Sequence, residues 1–152
     1  MRTLENAYGG KKIASRSERT QNVYNPATGE ATALLPLSTA DEVSAAVAAA
    51  KAAAASWGTT PPMKRVAPMF RFKELLQKNA DAIARAISSE HGKTHADALG
   101  ELQRGIEVVD FACGIPHLLK GEFSRNIGPD IDSWSDRQPP RVVAGITPFN
   151  FP

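Results

Sequence analysis

The closing segment, residues 142–152, restricts the fold of this 152-residue chain more than any other part of it. Val142–Ile146 is an apolar run rich in β-branched residues, which is typical of a strand buried on both faces in a parallel sheet. Pro148 and Pro152 cannot continue a strand, so they bracket a loop in which Asn150 can both donate and accept hydrogen bonds. Open α/β sheets bind ligands at the loops that leave the carboxyl ends of their strands. The segment therefore predicts an α/β fold with a ligand site in this loop.

The predicted strand also needs a parallel neighbour, which a chain reaches only through a crossover connection. No residue follows Pro152 to supply one. We therefore expect the chain to end inside its own site. We also expect it to aggregate when it is expressed alone, because Val142–Ile146 lacks partner strands.

Composition limits the class of protein. The hydrophobic fraction of 42% and the charged fraction of 22% are typical of soluble globular proteins, and the length allows one domain. The net charge is +2 and the basic residues are scattered, whereas nucleic-acid-binding proteins cluster them on one face. No apolar stretch reaches the length of a membrane span, no secretory signal is apparent, and the single Cys excludes an intrachain disulfide. We therefore expect a cytoplasmic protein with no nucleic-acid or membrane partner.

Two helices are predicted in the first half of the chain. Thr39 and Glu42 have the spacing of a capping box, and the Ala-rich helix that follows them is expected to end at Gly58. A second helix is expected to begin near Pro62, where the missing N–H is harmless, and to end at a cap formed by Gly92. Two positions inside it are candidates for a kink and for a division, namely Pro68 and Asn79.

A third helix is predicted from His95 to Leu119, with a break at Gly114. Its main apolar stripe contains Cys113, which we interpret as a buried and unreactive core thiol. Further apolar residues lie on the opposite face, so the pattern indicates a helix buried between two layers. Arg104 belongs to that second face, where an Arg needs a partner. The three His residues show no metal-ligand spacing, and no metal site is predicted.

Short strands are predicted on both sides of the helices. Gly9-Gly10 is a turn signal between two short strands, and the segment from Asn25 to Glu30 indicates a tight turn joining two more at a sheet edge. After Gly121 the sequence is rich in turn residues and fits a hairpin weakly.

Three motifs, taken in order, resemble those of the aldehyde dehydrogenase superfamily. They are Tyr24-Asn25-Pro26-Ala27-Thr28-Gly29-Glu30, Glu90-His91-Gly92-Lys93, and Val142-Val143-Ala144-Gly145-Ile146-Thr147-Pro148-Phe149-Asn150-Phe151-Pro152. The stretch Arg104–Glu122, and Phe149 in place of the Trp common in other branches, resemble the CoA-acylating methylmalonate-semialdehyde dehydrogenases. The sequence departs from the family pattern at Pro139-Pro140-Arg141, where members usually have an apolar residue and Gly before Val-Val.

The resemblance covers essentially the whole chain but only about the first third of the family's length. It implies that residues 1–120 are the N-terminal part of an NAD-binding domain, with its helices and edge strands. Residues 121–139 would be strands of the β-hairpin arm that joins subunits, here as a homo-tetramer of the full-length protein. Residues 140–152 would be the first buried strand and the active-site loop, truncated at Pro152. The family's catalytic Cys, its general-base Glu and its main dinucleotide-binding loops would lie beyond that residue.

The resemblance also assigns roles to the closing loop. The side-chain amide of Asn150 would donate to the oxyanion that forms when a Cys thiolate attacks an aldehyde. Ile146, Thr147, Pro148 and Phe149 would line the nicotinamide-ribose side of the NAD pocket. From the residues alone, the alternative is that Asn150 is a turn residue whose amide bonds its own loop, and that the other four are core and turn residues.

Arg104 is the candidate substrate-binding residue. A semialdehyde that bears a carboxylate needs a fixed cation, and a guanidinium binds a carboxylate bidentately. The subfamily resemblance places Arg104 on the helix that faces the substrate tunnel. The alternative is an ordinary ion pair with Glu101, Glu107 or another nearby acid.

The function implied for the full-length protein is NAD-dependent, CoA-acylating oxidation of malonate or methylmalonate semialdehyde to acetyl-CoA or propionyl-CoA. CoA would be the co-substrate. Two alternatives stay open: a CoA-independent aldehyde dehydrogenase, and a truncated, non-catalytic subunit that acts only through contacts with intact partners. The isolated chain is expected to be inactive because the resemblance places the nucleophile outside it.

Overall fold

A computed structural model describes residues 1–152 and contains seven strands and five helices. The strands are β1 (Arg2–Thr3), β2 (Asn6–Tyr8), β3 (Lys11–Ile13), β4 (Thr20–Tyr24), β5 (Ala31–Pro36), β6 (Phe123–Gly128) and β7 (Ile131–Trp134). The helices are α1 (Ala40–Thr59), α2 (Pro62–Lys78), α3 (Ala80–His91), α4 (His95–Cys113) and α5 (Ile115–Leu118). No helix is both long enough and apolar enough to cross a membrane.

The strands before the helices form one small sheet and one hairpin. The sheet has the order β1-β5-β4, with β1 parallel to β5 and β4 antiparallel to it. The β4–β5 turn is closed by the Asn25 N–H, which donates to the Glu30 carbonyl at 2.8 Å, and Gly29 adopts a φ of 74° there. Gly9 and Gly10 join β2 to β3 in the same left-handed region. Both predicted turns are confirmed.

Helix α1 begins at the predicted capping box. The Glu42 N–H donates to the Thr39 hydroxyl at 3.3 Å, and the Thr39 N–H donates to the Glu42 carboxylate at 2.7 Å. This carboxylate also accepts from the Arg16 N–H, so hydrogen bonds from the Thr39 and Arg16 backbones hold the pKa of Glu42 below its usual value. The predicted end was wrong by one residue: α1 runs through Gly58 to Thr59, because Gly is tolerated inside a helix.

The remaining helix boundaries follow the predicted signals. Asn79 divides the second helical segment into α2 and α3, and Gly92 ends α3 with a φ of 85°. Gly114 divides the third segment into α4 and α5. Pro68 lies inside α2, which continues through it.

Helix α4 packs against both α2 and α3 through its main apolar stripe. Its buried residues include Leu102, Ile106 and Cys113, in agreement with the predicted stripe and with a core thiol. Leu99, which we also expected in the stripe, is 39% exposed, and its neighbour Ala98 is buried instead. The prediction that α4 is buried between two layers was wrong for this chain. Val108 and Phe111 are 69% and 70% exposed, because no element of the chain packs against that face.

Residues 121–139 contain the β6–β7 hairpin, with an irregular register between Ser124 and Gly128. All four residues of β7 and most of β6 are exposed. The hairpin is therefore a projecting element that is held by few contacts with the helices. Its large apolar side chains are uncovered, namely Phe123, Ile127, Ile131 and Trp134.

The predicted buried strand at Val142–Ile146 was wrong: residues 135–152 contain no strand, and Ile146 is 100% exposed. A strand exists only through ladder hydrogen bonds with a neighbour, and no other strand of the chain lies beside this run. Arg141, directly before this run, adopts a φ of 72°. The Val142 N–H donates to the Pro140 carbonyl at 3.0 Å across it, so this tight turn holds a non-Gly residue in the left-handed region.

We expect the 152-residue chain to aggregate when it is expressed alone. Ile146 is fully exposed, Phe149 is 93% exposed, and only seven residues of the chain are buried. Exposed apolar patches of this kind drive association. Light scattering of the purified chain should show large particles, and the double variant Ile146→Lys/Phe149→Lys should reduce them. A soluble monomer that unfolds cooperatively would contradict the expectation.

Candidate functional site

Two of the family-like motifs lie against each other at the α3–α4 connection. Gly92 ends α3 in the left-handed region, and a Cβ placed on it would lie 3.1 Å from Cγ of Pro26 in the β4–β5 turn. Any side chain at position 92 would therefore be both strained and crowded. This close approach orients the chain as it leaves α3, and Lys93 is the next residue.

Lys93 connects this junction to the third motif. Its ammonium forms an ion pair with Glu101 of α4, and the two side chains are 13% and 8% exposed. The same Nζ donates to the main-chain carbonyl of Asn150 at 3.2 Å and lies 4.9 Å from the ring centroid of Phe151. The second and third motifs, which are far apart in sequence, thus meet at one largely buried ammonium group, and the first motif contacts the preceding residue, Gly92.

The predicted site residues of the closing loop lie together in sequence but are open to solvent. Phe149 and Asn150 form a turn, and the Asn150 amide makes no hydrogen bond within the chain. The alternative in which this amide bonds its own loop is therefore not what the structure shows. Ile146, Thr147 and Pro148 are exposed, so they are not core residues of this chain, whereas Phe149 does lie in a turn. Their roles toward a cofactor stay predictions.

Arg104 lies on α4 one turn after Glu101 and is exposed. It forms no ion pair: Glu101 is paired with Lys93, and Glu107 accepts from Gln103 at 3.3 Å. Arg104 lines an open cavity of about 680 Å³ together with Lys93 and Phe151. The structure therefore brings Arg104 and the end of the closing loop to one cavity. Acidic residues line the cavity as well, namely Asp97, Glu101 and Glu107. Because their carboxylates repel an anion, a negatively charged ligand would bind in this cavity only by direct contact with the Arg104 guanidinium.

Sequence reasoning missed the role of Lys93 and Glu101 in this arrangement. Lys93 was visible as the last residue of the Glu90-His91-Gly92-Lys93 motif, but nothing local indicates that its partner is Glu101 or that it reaches Asn150. No group of three or more His, Cys, Asp or Glu side chains is arranged to hold a metal ion.

The family profile that matches this chain is that of the aldehyde dehydrogenase family, over residues 13–152, and the chain belongs to this family. It is 53% identical over all of its 152 residues to a malonate-semialdehyde dehydrogenase from Pseudomonas aeruginosa, and covers 30% of that protein. It is 50% identical over 99% of its length to malonate-semialdehyde dehydrogenase 3 from Geobacillus kaustophilus, of which it covers 31%.

Solved structures agree with the sequence comparison. The fold superimposes with a TM-score of 0.93 on the crystal structure of methylmalonate-semialdehyde dehydrogenase from Oceanimonas doudoroffii, at 56% identity, covering 99% of this chain and 31% of that one. It also superimposes with a TM-score of 0.94, at 46% identity, on a Sinorhizobium meliloti protein assigned as a methylmalonate-semialdehyde dehydrogenase and complexed with NAD. That match covers all of this chain and 31% of the other. The chain therefore has the fold of the N-terminal portion of an aldehyde dehydrogenase and spans about 30% of the length of these relatives.

Proposed function

We propose that residues 1–152 contribute the oxyanion donor and one substrate-binding cation to an NAD-dependent, CoA-acylating malonate- or methylmalonate-semialdehyde dehydrogenase. The single observation that carries the proposal is the contact of Lys93 with the Asn150 loop, because Lys93 also lines the cavity that contains Arg104. The names of the relatives at 50% identity or more support the substrate class.

Asn150 performs the electrostatic part of the reaction in this proposal. Its amide is free of hydrogen bonds within the chain, so an N–H can donate to an aldehyde oxygen as that oxygen gains charge. Arg104 is free of ion pairs and binds the carboxylate of the semialdehyde. The two residues would hold the substrate at its two polar ends.

The closing loop fits a bound NAD. Its apolar side chains Ile146 and Phe149 are almost fully exposed, and the backbone of Thr147 makes no hydrogen bond in the chain. Ile146, Pro148 and Phe149 offer apolar contact to the nicotinamide ring, and Thr147 offers a carbonyl and a hydroxyl to the ribose. NAD, when bound, accepts the hydride from the substrate, and the S. meliloti relative was solved with NAD.

Two further parts of the proposal concern the assembly. The exposed apolar side chains of the β6–β7 hairpin support its use as the arm that joins subunits into a homo-oligomer, with a tetramer proposed.

The 152-residue chain alone is proposed to be inactive, because its single Cys113 is buried in the helical core and cannot serve as the nucleophile.

An assay of NADH formation by the native protein tests the proposal. We expect NADH from methylmalonate semialdehyde only when CoA is present, whereas a CoA-independent aldehyde dehydrogenase would form NADH without it.

The intact mass of the native protein tests the non-catalytic alternative. A mass of 16.3 kDa without activity would favour that alternative, and a mass about three times larger is expected from the 30% coverage of the relatives.

Variants of this segment can be compared in a completed enzyme. We use this term for residues 1–152 followed by the remaining part of the O. doudoroffii relative, which is 56% identical to the chain over the shared segment.

A further inference from the structure

A single hydrogen bond joins residues 140–152 to the rest of the chain, and Lys93 donates it. The bond runs from Nζ to the carbonyl oxygen of Asn150 at 3.2 Å. The other hydrogen bond made within this segment is local, from the Val142 N–H to the Pro140 carbonyl. The ring of Phe151 lies 4.9 Å from the same Nζ, so the ammonium contacts two consecutive residues of the loop. Lys93 is therefore the polar anchor of the loop that carries Asn150.

The anchor is itself held firmly by the helical layer. The left-handed turn at Gly92 determines where Lys93 leaves α3, and Glu101 of α4 pairs with its ammonium from inside the fold. Both charges are largely buried, and buried charges persist only when each has its partner. An ammonium has three N–H donors. One is directed to Glu101 and another to Asn150, so the ion pair leaves a donor available to the loop.

We propose that Lys93 is a positioning residue for Asn150, acting through the main-chain carbonyl of that residue and held in place by Glu101. The proposal rests on the proposed function, because it requires that the Asn150 amide stabilises the oxyanion. A donor stabilises the developing charge only when it is already in place, and a displacement of about 1 Å can lower the rate about a hundredfold. Without the bond from Lys93, the loop keeps no hydrogen bond to the helices.

The test is a double-mutant cycle between Lys93 and Asn150 in the completed enzyme, measured as steady-state NADH formation. We expect Lys93→Met to lower kcat by about 10- to 100-fold with little change in KM for aldehyde or NAD. In a protein that already carries Asn150→Ala, the same Lys93→Met change should lower kcat no further, because there is then no amide to position.

Two control variants separate positioning from general stability. Lys93→Arg keeps a cation and its N–H donors and should retain most of kcat. Lys73→Met removes another ion pair between two helices, α2 and α4, in which Nζ lies 2.5 Å from Asp110; this pair is more exposed than Lys93–Glu101, and Lys73 makes no bond to the loop. It should leave kcat unchanged.

If Lys93→Met alone is insoluble, Lys93→Met/Glu101→Gln takes its place in the cycle, because it leaves no unpaired buried charge. The proposal is overturned if the fold-decreases in kcat caused by Lys93→Met and Asn150→Ala multiply in the double variant, or if Lys93→Met leaves kcat unchanged. It is also overturned if neither Lys93→Met nor Lys93→Met/Glu101→Gln folds. The proposed function fails separately, and is recognised as such, if Asn150→Ala alone leaves kcat unchanged.

Discussion

Replacing Asn150 with Ala in the completed enzyme should lower kcat for NADH formation by about 100- to 1000-fold, which is the usual effect of removing one oxyanion donor. The KM for the semialdehyde should change little, because the amide donates most strongly to an oxygen whose charge develops in the transition state. The structure supports a specific effect, since the Asn150 amide makes no hydrogen bond whose loss would unfold the loop.

Asn22→Ala is the matched control for that experiment. The Asn22 amide lies on β4 and donates to the exposed hydroxyl of Tyr24 at 3.2 Å, and it makes no hydrogen bond to the loop. This variant should keep the parental kcat. If the Asn150→Ala enzyme has the kcat of the parent, Asn150 does not take part in the reaction and this loop does not stabilise the oxyanion.

Replacing Arg104 with Leu should raise KM for methylmalonate semialdehyde by about 10- to 100-fold, which corresponds to the loss of a hydrogen-bonded contact between charged groups. The KM for propanal, which has no carboxylate, should change far less. Arg104 forms no ion pair within the chain, so the substitution breaks none, and a change in KM cannot be due to the loss of one.

Arg71→Leu is the control for Arg104. Arg71 is an exposed Arg on α2 whose pair with Glu74 lies at the surface, so its loss should change neither KM. Equal increases in KM for methylmalonate semialdehyde and propanal in the Arg104 variant would contradict carboxylate recognition. They would indicate instead that Arg104 shapes the cavity shared with Asp97, Glu101 and Glu107.

The parts of the fold that could be predicted are those determined by local interactions. A capping box specifies its helix start from Thr39 and Glu42 alone, and Gly92 ends α3 because Gly readily adopts the left-handed region. The break at Gly114 keeps a right-handed backbone and is followed by Pro116, which cannot donate a helical hydrogen bond. The hairpin turns before α1 could be predicted for the same reason.

The parts that could not be predicted depend on partners distant in sequence. Val142–Ile146 has the composition of a buried strand, but a strand needs a neighbour and the chain provides none there. The second apolar face of α4 has the pattern of a buried surface, yet Val108 and Phe111 are exposed. The ion pair of Lys93 with Glu101 is a tertiary contact that no periodicity indicates.

The same division holds for the candidate site. Asn150 and Arg104 could be selected from sequence because the family resemblance assigns a role to each, and their side chains suit an oxyanion and a carboxylate. From the residues alone, Asn150 would have been taken for a turn residue. That Lys93 contacts Asn150 and also lines the cavity of Arg104 appears only in three dimensions.

The products formed by the native protein from methylmalonate semialdehyde, NAD and CoA test the proposed function most directly. We expect equal amounts of propionyl-CoA, carbon dioxide and NADH. The aldehyde carbon gives up a hydride and joins the CoA sulfur, the carboxylate leaves as carbon dioxide, and the α-carbon takes up a proton, which balances the one that the CoA thiol loses. Mass spectrometry of the thioester, together with NADH absorbance, measures this ratio. The proposed function would be contradicted if free methylmalonate formed without CoA as fast as propionyl-CoA forms with it. It would also be contradicted if a native protein as long as its relatives formed no NADH.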